Sequence, residues 1–238
     1  MESVKTAGLL FTDFRVVDQD GKPFWEGTFL DYHRVFKEVR KTPIRDGVFL
    51  IQQEEAFARL VGGNFIGTSS VVIPKHVLED VGPFDETLKN GDDGDMWFRI
   101  ARRYDLVYLD CVGHNYRRFR PGSIGSRGDW RRGPNRIKVL KRQREIGVPE
   151  HLVATLRHRI ARNYFEIGYA CQCQNNTKLA RENYLLGLRE EVTWPLLRGV
   201  LVTLLGPRLL ADGRRARNWL RKRLLGRDEE PRAPGGVI

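Results

Sequence analysis

The sequence has no uncharged apolar run that reaches the roughly 20 residues a membrane-spanning helix needs. Residues 1–8 also lack the basic region followed by an apolar stretch that marks a signal peptide. Cysteine is scarce, and an odd number without a repeated spacing argues against a small secreted domain held by disulfides. We therefore expect a cytoplasmic protein, and a basic C-terminal segment described below suggests the inner face of the plasma membrane as its location.

The three cysteines, Cys111, Cys171 and Cys173, form no recognisable metal-binding pattern. Cys171 and Cys173 are too close together for a zinc knuckle, and no second Cys/His pair follows them. We expect three ordinary thiols and no metal site built from them.

Acidic residues are outnumbered, because 41 Lys and Arg stand against 30 Asp and Glu and give a formal net charge of +11. Such an excess favours an anionic partner: nucleic acid, phospholipid headgroups or a phosphate-bearing substrate. No helix-turn-helix, RNA-recognition or zinc-finger pattern accompanies the charge, so nucleic acid is the least favoured of the three. The 41% hydrophobic residues are enough for a packed core.

The apolar pattern predicts an α/β fold with a mixed sheet and flanking helices, followed by a helical extension. Strand composition occurs at 9–17 and 106–112, and a glycine-rich stretch at 62–70 leads into an apolar strand that ends before Pro74. The segment 46–57 fits either a helix or a strand. Helical spacing is found at 28–39, 75–81, 92–103, from about 135 onward, at 151–189 and at 195–225. We place the main domain at 1–148, the helical extension at 149–227 and a disordered tail at 228–238.

The acidic segment 90–99, Asn-Gly-Asp-Asp-Gly-Asp-Met-Trp-Phe-Arg, begins one of these helices. The exposed N–H groups at a helix N-terminus favour negative charge, and a carboxylate there suits a general base that takes a proton from a hydroxyl. The alternative is that Asp92 or Asp93 serves as an ordinary N-cap. Asp95 and Arg99 are four residues apart, which predicts an ion pair along the helix.

The order of three motifs, Gly63-Asn-Phe-Ile-Gly-Thr-Ser-Ser-Val-Val-Ile-Pro74, Val81-Gly-Pro-Phe-Asp-Glu86 and Gly91-Asp-Asp-Gly-Asp-Met-Trp-Phe-Arg-Ile-Ala101, resembles the second half of family 2 glycosyltransferases with the GT-A fold. The resemblance implies that Asp93 is the base on the acceptor hydroxyl. Asp92, the second candidate catalytic residue, stands where the family has Glu. Gly94 stands where the family has Trp, which implies a looser acceptor pocket. Thr68, Ser69 and Trp97 are the further candidate substrate-binding residues, while Phe84 and Asp85 match a structural turn.

The segment 114–126 resembles the part of that family whose Arg and His lie near the donor diphosphate and its metal ion. Arg117, Arg118 and Arg120 fit the diphosphate-binding role, because guanidinium groups hold phosphate oxygens well. Phe119 or Arg120 occupies the usual His position. The alternative is a solvated basic loop.

The donor-binding half of such an enzyme, with its metal-binding Asp-x-Asp motif, is not found in this sequence. The resemblance implies a divalent cation, Mg²⁺ or Mn²⁺, for the full-length family, and most of its ligands are missing from this sequence. Asp18 and Asp20 match the Asp-x-Asp pattern, but they follow a predicted strand as part of a turn. We predict that the 238-residue chain alone transfers no sugar, and measurable turnover of a nucleotide-sugar by the purified chain would contradict this. The function implied is inverting transfer of a sugar from a nucleotide donor to a glycan or lipid-linked acceptor in cell-envelope polysaccharide synthesis.

The C-terminal part holds two further patterns. Tyr164, Ile167, Gly168, Ala180 and Tyr184 have the spacing of one tetratricopeptide unit, which predicts a helix pair packed on the catalytic domain and not a peptide-binding array. The stretch 196–225 is apolar first and then strongly basic, as in helices that lie on anionic lipid, and the alternative is a solvated basic helix. A non-catalytic basic module that binds membrane or nucleic acid is therefore the competing function.

Overall fold

The structure is a computed structural model that describes residues 7–118 and 133–204. The chain divides into two compact units, Met1–Ile160 and Ala161–Ile238. The division falls within helix α7, Glu150–Cys173, which continues from the first unit into the second. The residues between 146 and 150, where the sequence suggested a boundary, form the connection between two helices.

The first unit contains a mixed sheet, as the sequence predicted, with five strands among the described residues. Its strands are β1 (Ala7–Val17), β2 (Thr42–Arg45), β3 (Val48–Ile51), β4 (Val71–Val72) and β5 (Asp105–Arg117), in the order β2-β3-β5-β1-β4. The two long strands β1 and β5 run parallel to each other, and the other pairs are antiparallel. Ligand sites in sheets of this kind are common at the carboxyl ends of parallel strands.

The core of this unit lies on both faces of the two central strands. Leu9, Phe11 and Leu106 are at most 1% exposed, and an aromatic cluster of Phe11, Phe36 and Phe65 has ring centroids about 6 Å apart. Because residues next to each other on a strand point to opposite faces, a strand with nearly continuous burial such as β1 is covered on both sides.

In the described part of the first unit, six α-helices accompany the sheet before α7. They are α1 (Phe29–Tyr32), α2 (Arg34–Lys37), α3 (Gln53–Gly62), α4 (Lys75–Val81), α5 (Asp92–Ala101) and α6 (Gly133–Ile146). The bounds of α4 are those the sequence predicts, and Gly82 ends it with a φ of +82°. Trp97, Ile100 and Ala101, which share one face of α5, are fully buried.

Three element predictions need correction. The helix expected at 28–39 is interrupted at His33, whose extended backbone separates α1 from α2 and whose Nδ1 caps α2 by accepting from the Phe36 amide. The ambiguous segment 46–57 contains both a strand and the start of α3, with the change at Gln52. The apolar strand before Pro74 is only two residues long, because Thr68–Ser70 forms a 3₁₀ turn ahead of it.

The second unit is helical over its described residues, 161–204, which contain the end of α7, α8 (Thr177–Glu190) and α9 (Trp194–Leu204). The predicted helix pair is present: a methyl group on Gly168 of α7 would lie 2.6 Å from the ring of Tyr184 on α8. The same ring packs against Gly199 of α9 at 2.7 Å from such a methyl group. Two glycines thus make room for one buried tyrosine between three helices.

No helix among the described residues is long and apolar enough to cross a membrane. The stretch predicted as helical at 195–225 is a helix up to Leu204, and the remainder lies outside the described residues. The tail at 228–238 lies outside them as well.

Candidate functional site

The acidic segment forms the first turn of α5, and neither Asp92 nor Asp93 is its N-cap. Gly91 occupies the N-cap position with a φ of +81°, and no side chain caps the helix there. That left-handed conformation favours glycine, since it costs other residues energy. Asp92 and Asp93 follow within the helix, so the simplest structural role for them, capping, is not the one they have.

The carboxylate of Asp93 is held from across the fold. Thr68 Oγ1 donates to Asp93 Oδ2 at 2.9 Å, over a separation of 25 residues in sequence. The other oxygen, Oδ1, accepts from the Gly94 amide at 2.6 Å. These two bonds fix the orientation of a half-buried carboxylate in the first turn of α5.

Two glycines shape the surroundings of Asp93. A methyl group on Gly94, the next residue of the helix, would meet no atom within 4 Å other than its chain neighbours and the helix backbone, so the space that a side chain would occupy at this position is open. Gly67, which precedes Thr68, has the opposite surroundings, because a methyl group there would lie 2.8 Å from the ring of Phe14. Gly67 therefore lets the 3₁₀ turn lie against β1 and brings the Thr68 hydroxyl to Asp93.

Asp95 serves a different purpose from its two acidic neighbours. It is 1% exposed and accepts from two arginines, from Arg99 Nε at 2.9 Å and from Arg142 Nη1 at 2.7 Å. The predicted pair with Arg99 is thus confirmed, and Arg142 on α6 is an added partner that sequence spacing does not reveal. Arg142 Nη2 also donates to Asp85 Oδ2 at 2.9 Å.

The turn at 81–87 is fastened to α5 by the same network. Arg99 donates to the carbonyl oxygens of Val81, Gly82 and Pro83. Asp85 accepts from Thr87 and Arg142, and these hydrogen bonds lower its pKa to about 2. Asp85 is therefore structural, as the sequence suggested, and the network sets the position of the helix that carries Asp93.

Arg117 and Arg118 lie at the end of β5, where β1 also ends. Arg117 is exposed and in register with Val17, and the Arg118 amide donates to the Val17 carbonyl at 2.9 Å. Both residues thus stand at the carboxyl ends of the two parallel strands. Arg120 lies outside the described residues, as does Phe119.

Two of the candidate substrate-binding residues, Trp97 and Ser69, have opposite surroundings in the structure. Trp97 is fully buried, with its ring edge directed at Phe84 over 6.4 Å between centroids, so it belongs to the core and not to a substrate-binding surface. This corrects its place among the substrate-binding residues, and the cause is its position on the inner face of α5. Ser69 is exposed beside Thr68.

Asp18 and Asp20 are part of a turn after β1. Asp18 Oδ1 accepts from the Asp20 and Lys22 amides at 3.0 and 2.8 Å. Among residues 7–118 and 133–204, no cluster of three His, Cys, Asp or Glu side chains could hold a metal ion. The residues that the structure describes therefore do not fit the divalent cation of the glycosyltransferase resemblance, and no step below is routed through one.

A buried carboxylate on β1 was missed by the sequence analysis. Asp13 is 4% exposed and accepts from the Phe14 and Leu30 amides at 2.7 and 3.1 Å, while burial raises its pKa. Its neighbour Phe14 stacks on His114 of β5 at 5.0 Å, and burial lowers the pKa of His114. The sign of this carboxylate in the sequence is a single acidic residue, Asp13, within an otherwise largely apolar predicted strand.

Comparison of the chain with protein-family models, with curated proteins and with solved structures found no match in any of the three. A function is therefore proposed from the geometry of the described residues.

Proposed function

We propose that the chain carries the acceptor side of an inverting glycosyltransferase with a GT-A-like fold, with Asp93 as the catalytic base. The observation that carries the proposal is the Thr68–Asp93 hydrogen bond at the N-terminus of α5. It orients a half-buried carboxylate that is not the helix N-cap, and the next residue, Gly94, adds no side chain that could block an acceptor. The sheet is compatible with this fold, since β1 and β5 end next to the arginines that would face the donor.

The step is a single displacement at the anomeric carbon of the donor sugar. Asp93 takes the proton of the acceptor hydroxyl as its oxygen forms the new bond to that carbon. The bond from the carbon to the nucleoside diphosphate breaks, the leaving group keeps the electron pair, and the configuration inverts. Arg117 and Arg118 interact with the diphosphate oxygens as their charge increases.

Thr68 and Asp95 support this chemistry without contacting the reacting atoms. Thr68 donates to Oδ2 of Asp93 and the Gly94 amide donates to Oδ1, so the orientation of the base is fixed before an acceptor binds. Asp95 holds α5 in place through Arg99 and Arg142. The expected acceptor is a glycan or a lipid-linked sugar of the cell envelope, at the inner face of the plasma membrane.

The test is made in the cell that carries the gene, so that any partner protein the chain needs for activity is present. Deletion of the gene is expected to remove one envelope glycan, measured by mass spectrometry of extracted polysaccharide and lipid-linked sugars. Asp93→Asn is expected to reproduce the deletion, since loss of a general base lowers a rate by about 10²- to 10⁴-fold. Asp92→Asn is the matched control and is expected to keep most of the product.

Two results would overturn the proposal. An unchanged glycan profile after deletion would remove the transferase function. A lost product after deletion together with a normal product in Asp93→Asn would keep the function and remove Asp93 from the base role. The amount of each variant protein, measured by immunoblot, separates loss of activity from loss of the fold.

A further inference from the structure

Helix α9 presents a row of apolar side chains to solvent. Trp194, Leu197, Leu201 and Leu204 are 69%, 39%, 56% and 59% exposed. Their spacing of three, four and three residues places them on one face of the helix. The opposite face, with Leu196, Gly199 and Thr203, is buried against the rest of the second unit. We call the four exposed residues the α9 stripe.

Exposed apolar rows of this size need an explanation, since single exposed leucines are common but contiguous ones mark interaction sites. Water is a poor environment for them, because each fully buried leucine gains about 1.5–3 kcal/mol over an exposed one. The stripe is also free of acidic residues, and Arg198 is the one charged residue of the helix. An apolar row with a tryptophan and a cation is the composition of a helix that lies at a lipid surface.

The charge of the following sequence identifies the surface. Between 205 and 225 the chain has one acidic residue, Asp212, and seven basic ones: Arg208, Arg214, Arg215, Arg217, Arg221, Lys222 and Arg223. Basic residues next to an amphipathic helix are attracted to anionic lipid by about 1 kcal/mol each near the surface. This concentration of positive charge disfavours a second copy of the chain, whose net charge is also +11.

We propose that the α9 stripe is a docking surface for anionic membrane, with its apolar side chains inserted between the headgroups. The helix lies along the interface and does not cross it. This inference is independent of the proposed transferase site, because it rests on the second unit alone. It assigns the membrane binding predicted from the sequence to the four residues of the α9 stripe.

The test measures binding of the full chain to vesicles by cosedimentation. Vesicles of phosphatidylcholine mixed with phosphatidylserine are expected to bind the protein at low salt, and vesicles of phosphatidylcholine alone are expected to bind it weakly. The double variant Leu197→Glu/Leu201→Glu is expected to lower the partition coefficient at least about tenfold, because two inserted side chains are replaced by charges. Ile146→Glu, at a residue of α6 that is 58% exposed, is the matched control and is expected to bind like wild type.

Three results would overturn the proposal. Equal binding of the double variant and wild type would assign the interaction to the basic sequence without the stripe. Equal binding of wild type to both kinds of vesicle would remove the preference for anionic lipid. A lowered Tm of the double variant with unchanged vesicle binding would show instead that the stripe is covered by another part of the same chain.

Discussion

At the scale of single residues, the buried charge of Asp95 depends on its two arginine partners. The carboxylate is 1% exposed and is paired with Arg99 and Arg142, which come from the same helix and from α6. A buried charge that loses a partner costs far more than an exposed one, because no water replaces the lost hydrogen bond. The four-residue spacing to Arg99 predicted half of this network, whereas Arg142, 47 residues away, is brought in only by the fold.

The variant Arg142→Met is therefore expected to lower the free energy of unfolding by about 2–3 kcal/mol. The matched control is Arg103→Met, whose pair with Asp80 is about half exposed on both sides and is expected to contribute less than about 1 kcal/mol. Urea unfolding followed by circular dichroism measures both. Equal losses in the two variants would contradict a special role for the buried pair.

The site itself shows the same limit on sequence reasoning. The order of the three sequence motifs singled out Asp93, and the helical spacing of apolar residues at 92–103 predicted its helix, because both signals are local. The Thr68–Asp93 bond spans 25 residues and depends on Gly67 fitting against Phe14, which no periodicity encodes. Trp97 was misplaced for a related reason: an aromatic residue near a site can face the core or the ligand, and only the packing decides.

At the scale of elements, strong local signals gave correct helices and weak ones did not. Gly82 and Pro74 mark the two ends of α4, and the predicted bounds hold. The expected helix at 28–39 failed because His33 caps α2 with its ring and so divides the segment. The β2–β3 hairpin was not predicted, since Val48–Ile51 gains its partner from β5, which is far away in sequence.

The contact of Gly168 with Tyr184 gives a prediction for the helix pair of the second unit. Gly168→Ala is expected to lower the free energy of unfolding by about 1–3 kcal/mol, because the added methyl group would meet a tyrosine ring that Gly199 confines from the other side. Gly94→Ala is the matched control, since its methyl group enters open space in a helix. It is expected to gain about 0.5–1 kcal/mol.

Chemical unfolding followed at the helix signal distinguishes the two variants by the sign of the change. If Gly168→Ala were neutral or stabilising, the tyrosine would have room to move, and the close packing of α7, α8 and α9 would not be required for stability. That outcome would also remove the physical reason for glycine at a position that the tetratricopeptide spacing selected.

At the scale of the whole molecule, buried ionisable groups make stability depend on pH. Burial lowers the pKa of His33 to about 4, and the residue is 2% exposed. In the unfolded chain a histidine titrates near 6.5, so between these two values the unfolded chain binds a proton that the folded chain does not. Stability contributed by neutral His33 is therefore fully present above about pH 6.5 and falls as the pH drops towards 4.

We expect His33 to lower the free energy of unfolding by about 2 kcal/mol when the pH is changed from 7 to 5. The variant His33→Asn keeps a side-chain acceptor for the N-terminus of α2 but has no group that takes up a proton in this range. Its free energy of unfolding is therefore expected to fall by about 2 kcal/mol less than that of wild type between pH 7 and pH 5. The comparison uses the slope with pH and not the absolute stability, because asparagine is smaller and leaves space in the core. Asp13, whose pKa is raised, works in the opposite direction as the pH falls, but it is present in both proteins and cancels in the difference. Urea titrations at pH 7, 6 and 5 measure the slopes, and parallel slopes for the two proteins would show that His33 is not held neutral by the fold.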